Sequence, residues 1–136
     1  MAQSIIWTGD KIEKKLSRAS NLSVSVATSG NTELLNIPVY GLEQLFVQFD
    51  VTTNNLDAFI IKARASQDAT AVTLYSTSGN YTSPVGLLIG VSSDLTAVAA
   101  AASGWFLMDV RGLWDVVIQA SATGGAATVS IYAGGQ

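Results

Sequence analysis

Apolar and polar residues alternate along most of this chain from residue 21 onward. In residues 46–51, for example, Val47, Phe49 and Val51 alternate with Phe46, Gln48 and Asp50. Successive side chains of a strand point to opposite faces, so each such run has one apolar and one more polar face. Runs of this kind, separated by turn signals, predict about eight strands. The pattern favours an all-β fold: an antiparallel two-sheet sandwich with jelly-roll or Greek-key-like connections.

Two parts of the chain have similar sequences. Residues 41–49 and 112–120 share the frame Gly-Leu-x-x-apolar-x-apolar-Gln, and residues 58–63 and 128–133 share apolar-x-Ile-x-Ala. We predict that each part forms a hairpin and that the second hairpin is one residue shorter in its turn, within residues 121–127. The two hairpins are expected to superpose, and Phe49 and Ile118 are expected to be core residues in equivalent places. In the first hairpin Phe49 is expected to pair near Ile61. The superposition sets Val47, Phe49, Phe59 and Ile61 on Ile118, Ala120, Val129 and Ile131, respectively.

The first 20 residues are predicted to be an N-terminal arm, followed by a sandwich domain over residues 21–136. Asp10 and Glu13 have the spacing of a helix capping box, and Ile12 and Leu16 lie four residues apart. Residues 10–18 therefore predict a helix of two turns. Two interpretations of this segment remain open: a solvated surface turn, and an arm that docks on a partner.

The docking interpretation rests on uneven charge, because four of the seven cations lie within residues 11–18. Apolar side chains beside them would anchor the arm, and a sheet surface with large apolar residues would add to the contact. The candidate partner-binding residues are Trp7, Lys11, Ile12, Lys14, Lys15, Leu16, Arg18, Phe46, Ile60 and Trp114.

The amino-acid composition limits the chemical functions that we expect of this chain. The 136-residue chain contains no His and no Cys, so it lacks the commonest general base, the commonest metal ligand and every thiolate ligand. Its net charge of −3 is not the basic footprint of a nucleic-acid binder. The ten carboxylates are scattered. A paired-carboxylate hydrolase stays open in principle, but turn formation and edge protection explain these acids better. We expect no enzyme, no cofactor and no metal site.

The chain also shows no membrane or export signal. No apolar run approaches the roughly 20 residues of a membrane-spanning helix, and the start of the sequence has no signal-peptide pattern. Only 12% of the residues are charged. Because a solitary soluble protein usually carries more surface charge, this composition is typical of a structural part that packs against neighbours.

The aromatic residues divide into two groups. Phe49 and Phe59 fall on apolar faces and are predicted to be core. Phe46, Trp105, Trp114 and Tyr132 are predicted to lie at the exterior or rim, where aromatics can mark a protein interface or a sugar platform. A covering loop explains any one of them equally well. Phe46 beside Ile60 on one solvent-facing side of a sheet would indicate a sheet that is covered or that faces a partner.

Three runs resemble small proteins encoded among the structural genes of tailed bacteriophages: residues 47–59, residues 82–90, and residues 94–113 with their Gly104-Trp105-Phe106-Leu107-Met108-Asp109 core. Together they span about the last two-thirds of the chain. These motifs are mostly turns and core strands, so they specify a family better than a task.

The resemblance implies a virion accessory protein, such as a capsid decoration (cement) protein or a head or tail knob. It implies capsid or tail proteins as partners and no catalytic residues. The expected assembly is a homo-oligomer, a trimer, made in the bacterial host cytoplasm and located in the virion, without nucleic-acid or membrane binding. The alternative is a carbohydrate-binding module or receptor-binding tip, in which Trp105, Trp114 and Tyr132 would stack on sugars.

Overall fold

The computed structural model describes residues 5–8, 11–14, 17–77, 87–92, 102–122 and 124–136, and for residues up to 17 it describes the backbone alone. All of the described regular structure is β. Every pairing between strands is antiparallel. The strands, in chain order, are β1 Ile5–Thr8, β2 Lys11–Lys14, β3 Ser17–Val26, β4 Thr32–Pro38, β5 Gln44–Thr53, β6 Ala58–Arg64, β7 Val72–Ser76, β8 Leu88–Val91, β9 Ser103–Asp109, β10 Asp115–Ser121 and β11 Ala127–Gly135.

Nine of these strands form two packed sheets, which confirms the predicted sandwich. One sheet has the order β3-β11-β5-β9-β8 and the other has the order β4-β10-β6-β7. The inner faces of both sheets supply one continuous core. Phe49 and Phe59 meet in that core at a ring-centroid distance of 4.8 Å, and both are about 1% exposed, as predicted.

The predicted N-terminal helix is wrong. β1 and β2 pair as a separate two-stranded sheet in which Trp7 lies opposite Ile12. A two-turn helix is marginal in water, and Ile12 together with the β-branched residues of β1 (Ile5, Ile6 and Thr8) favours the extended state. Asp10, Lys15 and Leu16 of the predicted helix lie outside the described residues. β3 begins at Ser17, so the predicted boundary after residue 20 falls inside a strand of the sandwich.

The two predicted hairpins are also wrong as pairings. β5 belongs to the five-stranded sheet and β6 to the four-stranded sheet, and likewise β11 and β10 lie in different sheets. Phe49 is opposite Ile131 rather than Ile61, and Ile61 is opposite Ile118. Each similar part is thus an arch that crosses the core. Alternation cannot distinguish the two arrangements, since both put the apolar faces of the two strands inward.

The repeat itself is real, and it extends further than the sequence frame indicated. The triplets β4-β5-β6 and β9-β10-β11 interlock, giving the matching orders β4-β10-β6 and β9-β5-β11. The Val39 amide donates to the Trp114 carbonyl at 2.9 Å, and the Val110 amide donates to the Glu43 carbonyl at 3.0 Å. The two bonds are equivalent, because residues 39 and 43 correspond to residues 110 and 114, which lie 71 positions further along the chain. The sandwich core therefore has pseudo-twofold symmetry.

In the last strand of each triplet, β6 and β11, equivalent residues are 72 positions apart along the chain instead of 71. The Trp114 amide donates to the carbonyl of Arg64, and the Glu43 amide donates to that of Gln136. The predicted superposition of Val47 and Phe49 on Ile118 and Ala120 fits the strand registers. Phe49 and Ile118 are both buried, but they are not equivalent positions.

The predicted superposition of Phe59 and Ile61 is displaced by two residues, because their counterparts are Ile131 and Ala133. The second connection is therefore one residue longer than the first, not one residue shorter as predicted. A shift of two residues keeps every side chain on its predicted face.

Candidate functional site

Exposed aromatic side chains collect on the outer face of the five-stranded sheet. Phe46 of β5, Trp105 of β9 and Tyr132 of β11 are 41%, 39% and 39% exposed, and Leu107 of β9 lies opposite Phe46. The rings of Phe46 and Trp105 stack with a centroid distance of 5.7 Å and an interplanar angle of 26°. We call Phe46, Trp105, Leu107 and Tyr132 the aromatic face.

A glycine in the neighbouring strand makes room for this stack. A Cβ at Gly90 of β8 would stand 3.2 Å from the Cζ3 atom of Trp105, which is closer than ordinary van der Waals contact. The indole therefore lies across an edge strand that has no side chain at that point. β8 carries no charged residue, and its Ile89 and Val91 are about half exposed.

The pseudo-twofold symmetry provides an internal comparison for this face. The counterparts of Phe46, Leu107 and Tyr132 on the four-stranded sheet are Val117, Asn36 and Ile60, because the registers of the two triplets match. These residues are aliphatic or polar, and Ile60 is only 5% exposed. The backbone framework thus forms without aromatic residues at these positions.

A shallow cavity of about 290 Å³ opens beside the aromatic face. Its floor is the backbone of Gly134 and Gly135. The missing side chain at Gly134 leaves the outer face of β11 open, whereas Gly135 faces Leu42 and Leu45 in the core. The lining combines apolar and polar side chains. The lining residues are Arg18, Gln44, Phe46, Leu107, Gly134, Gly135 and Gln136. A second hollow of about 140 Å³ shares Gln44 and extends to Ile89, Asp109 and Arg111. Together they make a mixed apolar and polar depression suited to contacts with another molecule.

Arg111 and Asp109 form a two-pronged ion pair at the rim of this depression. Arg111 donates from Nε to Oδ1 at 3.0 Å and from Nη2 to Oδ2 at 2.6 Å, and its backbone amide also donates to Oδ1. The Arg111 side chain, followed by its amide, lowers the pKa of Asp109 to about 2. The same bonds raise the pKa of Arg111. Both charges are therefore fixed over the ordinary pH range.

Arg64 and Asp115 form a comparable clamp on the four-stranded sheet. Arg64 Nε donates to both carboxylate oxygens at 3.0 Å, Nη2 donates to Oδ2 at 2.8 Å, and Nη1 donates to the Gln67 carbonyl. The hydrogen bond to Asp115 is the main cause of the raised pKa of Arg64. This clamp joins β6 to β10 and has a structural role. Its counterpart on the five-stranded sheet is Gln136 opposite Gln44, which leaves that position uncharged.

The structure brings only some of the sequence-predicted residues together. Phe46 and Arg18 lie on one face, joined by Trp105, but Ile60 is buried on the other sheet. The expectation that Phe46 and Ile60 lie on one solvent-exposed face is wrong, because β5 and β6 belong to different sheets. Trp114 stacks on Tyr40 at 4.5 Å in the turn before β10 and is not part of the aromatic face.

The backbones of Trp7, Lys11, Ile12 and Lys14 lie in the β1-β2 pair. Lys15 and Leu16 lie outside the described residues. The sequence missed Leu107, Gln44 and Gly134 as parts of the site. Consecutive glycines inside a strand, as at Gly134 and Gly135, are the signal that could have indicated an open position there.

No metal-binding group is found within the part of the chain that the structure describes. Among those residues there is no group of three or more acids that could hold a metal ion. The described segments also contain no helix long and apolar enough to cross a membrane.

Comparison with solved structures identifies a protein of similar fold. No protein-family model and no curated protein sequence matches the chain. The crystal structure of the SPBc2 prophage-derived protein YomS matches 92% of this chain and 99% of that one, with a TM-score of 0.52 and 14% identity. A structure of infectious bursal disease virus, Gx strain, matches 96% of this chain and 43% of that one at 14% identity, but its TM-score of 0.30 is too low to relate the folds. The chain therefore has the fold of a prophage-derived protein.

Proposed function

We propose that this chain is a structural virion protein of a tailed bacteriophage and that it attaches to capsid or tail proteins through the aromatic face. The observation that carries the proposal is the exposed, stacked Phe46–Trp105 pair on a sheet whose symmetry-related counterpart lacks it. Trp, Tyr and Arg are the residues that most often dominate binding energy at protein interfaces. Here Trp105, Tyr132 and Arg18 occupy one outer face.

Two further observations support a phage particle as the setting. The fold neighbour that spans nearly the whole of both chains is prophage-derived. The chain also has few charges to keep it apart from other proteins. In this proposal the protein decorates or cements the capsid, or forms a head or tail knob, as a homo-oligomer with three copies expected. It has no enzymatic activity and no cofactor.

The proposal is tested with particles from a phage whose copy of the gene has been deleted. Purified wild-type particles should contain the chain in a stoichiometry set by the lattice or the tail, measured by quantitative mass spectrometry. Deletion particles should lack it and should bind purified protein on add-back, measured by co-sedimentation. A chain that is absent from purified particles and does not bind on add-back is not a virion component.

The aromatic face is tested in the same assay. Trp105→Ala should weaken co-sedimentation by about thirtyfold or more if Trp105 is an interface hot spot. Val72→Ala is the matched control, since Val72 is 58% exposed but lies on the four-stranded sheet. Equal affinities of the two variants would remove the aromatic face from the contact.

A receptor-binding tip that stacks sugars is the second candidate function. The observation that favours it is the cavity itself, which is lined by the aromatic ring of Phe46 together with the polar side chains of Arg18 and Gln44. A glycan array separates the two candidates. A cement protein retains no glycan, whereas a tip retains a defined set and loses it with Trp105→Ala.

A further inference from the structure

The polar wall of the cavity is built around Arg18, and its position depends on a missing side chain. Arg18 of β3 lies opposite Gly134 of β11, and Phe46 of β5 lies opposite Gly134 on the other side. Arg18 Nη1 lies 3.8 Å from the place that a Cβ on Gly134 would occupy. The guanidinium thus reaches over β11 toward the ring of Phe46. The counterpart of Gly134 on the four-stranded sheet is Lys62, so the pseudo-twofold framework accommodates a long side chain at this position.

Arg18 also differs from the other arginines in its charge partners. Arg64 and Arg111 each bind a carboxylate through both Nε and Nη2. Among the residues whose side chains the structure describes, none forms an ion pair with Arg18, and the Arg18 side chain is exposed. Arg18 is therefore a cation on the aromatic face whose planar donors are available to an incoming anion.

The distribution of charge along the sequence also favours an acidic partner. Arg18 ends the stretch that holds four of the seven cations, whereas residues 19–136 carry eight acids and three cations. A partner that contacts the exposed Arg18 side chain is favoured if it is acidic, because complementary potentials steer association and suppress wrong partners. The apolar wall of Phe46 and Leu107 requires an apolar group beside the anion.

We propose that the cavity receives an acidic segment of the virion partner protein, with a carboxylate on the Arg18 guanidinium and a neighbouring apolar side chain against Phe46 and Leu107. This inference rests on the proposed function and adds the chemistry of the partner. Arg18 is the specificity-determining residue of the contact. The floor at Gly134 and Gly135 lets the segment approach the backbone of β11.

Charge removal tests the role of Arg18 in the add-back assay. Arg18→Gln should weaken co-sedimentation with deletion particles by about ten- to a hundredfold, the value of a hydrogen bond to a charged group. The effect should shrink as salt rises. Lys62→Gln is the matched control, because it removes one positive charge from the other sheet at the position related to Gly134. Equal losses for the two variants would indicate a general effect of net charge and overturn the inference.

Zero-length cross-linking identifies the occupant directly. Arg18→Lys introduces a primary amine, which a water-soluble carbodiimide joins as an amide to a carboxylate in contact with it. With saturating add-back protein, mass spectrometry should find residue 18 joined to a Glu or Asp of a virion protein, while Lys62 of the same chain is not joined.

The outcomes are distinguishable. If wild-type protein does not co-sediment, the proposed function fails. If it co-sediments but Arg18→Gln binds equally well and residue 18 gives no cross-link, the function stands and this inference fails. If glucuronic acid competes with particles for wild-type protein and no protein cross-link forms, the carboxylate belongs to a glycan, and the acidic-segment inference is again overturned.

Discussion

The ring of Phe49 packs directly on the backbone of Gly104, its partner on the neighbouring strand. A Cβ at Gly104 would overlap the Phe49 Cζ atom and stand 2.8 Å from Cε2. Phe49 is about 1% exposed and is held on its other side by Phe59, so the ring cannot move away without disturbing the core.

Gly104→Ala should therefore destabilise the protein by about 1–3 kcal/mol through overpacking. Chemical denaturation with an unchanged m-value measures this loss. Gly124→Ala is the control, because nothing lies within 4 Å of a Cβ there. If the two variants unfold at the same denaturant concentration, the Phe49–Gly104 contact is looser than described.

Removal of a core side chain should lower the free energy of unfolding by more than Gly104→Ala does. Phe49→Ala and Ile118→Ala each leave a cavity in the fully buried core and should destabilise by about 3–5 and 2–5 kcal/mol, respectively. Against a typical total of about 5–15 kcal/mol, either loss is large. Gln48→Ala, on the exposed side of β5, should be nearly silent. Unchanged denaturation midpoints for Phe49→Ala and Ile118→Ala would contradict the assignment of both residues to one core.

The two symmetry-related turns should respond alike to substitution. Gly41 and Gly112 have φ angles of 81° and 83°, in the left-handed region that L side chains disfavour. A Cβ added at Gly112 would meet no other atom within 4 Å, so Gly112→Ala tests backbone conformation alone. We expect a cost of about 1–2 kcal/mol for each of Gly41→Ala and Gly112→Ala. Thermal unfolding that separates the two variants by more than that range would mean that the turns are not equivalent.

Asp109 should titrate well below an ordinary aspartate. Its folded-state pKa of about 2 lies below the usual 3.8, because Arg111 hydrogen-bonds the charged form. A depressed pKa stabilises the folded state above the unfolded-state pKa, and that contribution is lost as pH falls from about 4 toward 2. Since the pair is exposed, the contribution to stability is small.

Carbon-detected NMR titration of the Asp109 carboxyl group should give the midpoint near 2, and Arg111→Leu should raise it toward the usual range. A midpoint that does not move in Arg111→Leu would contradict the ion pair as the cause.

The sequence predicted the class of fold because alternation reports which face of a strand is buried. Val47, Phe49, Ile118 and Ala120 all face the core as predicted. Strand partners could not be obtained in the same way, because a hairpin and an arch between sheets bury the same side chains. Phe49 therefore received Ile61 as its predicted partner, whereas Ile131 is the observed one.

The candidate site was predictable only in part, for a related reason. The alternation of side chains along each strand places Phe46, Trp105 and Tyr132 on the exterior, and all three are exposed. Their meeting on one face depends on the order of strands in the sheet, which alternation does not encode. Alternation also places Ile60 on the outer side of its own strand, as it does Phe46. Ile60 nevertheless lies buried, on the other sheet.

The contribution of the N-terminal segment to attachment is tested by a chain that begins at Ser17. This chain keeps β3 and Arg18 but lacks the β1-β2 pair together with Lys11, Lys14 and Lys15. It should retain the strand spectrum in circular dichroism, since all nine strands of the sandwich are present. Its co-sedimentation with deletion particles should be weaker and should depend less on salt, because charges at the rim of a contact act mainly through screened electrostatics.

A full-length chain with Lys11→Gln and Lys14→Gln is the control that separates charge from the rest of the segment. If it shows the same reduced salt dependence, the cations account for the effect. Unchanged affinity and unchanged salt dependence of the shortened chain would mean that the segment is only a solvated surface piece. Attachment would then depend on the aromatic face and Arg18 alone, and Trp105→Ala should abolish it equally in both chain lengths.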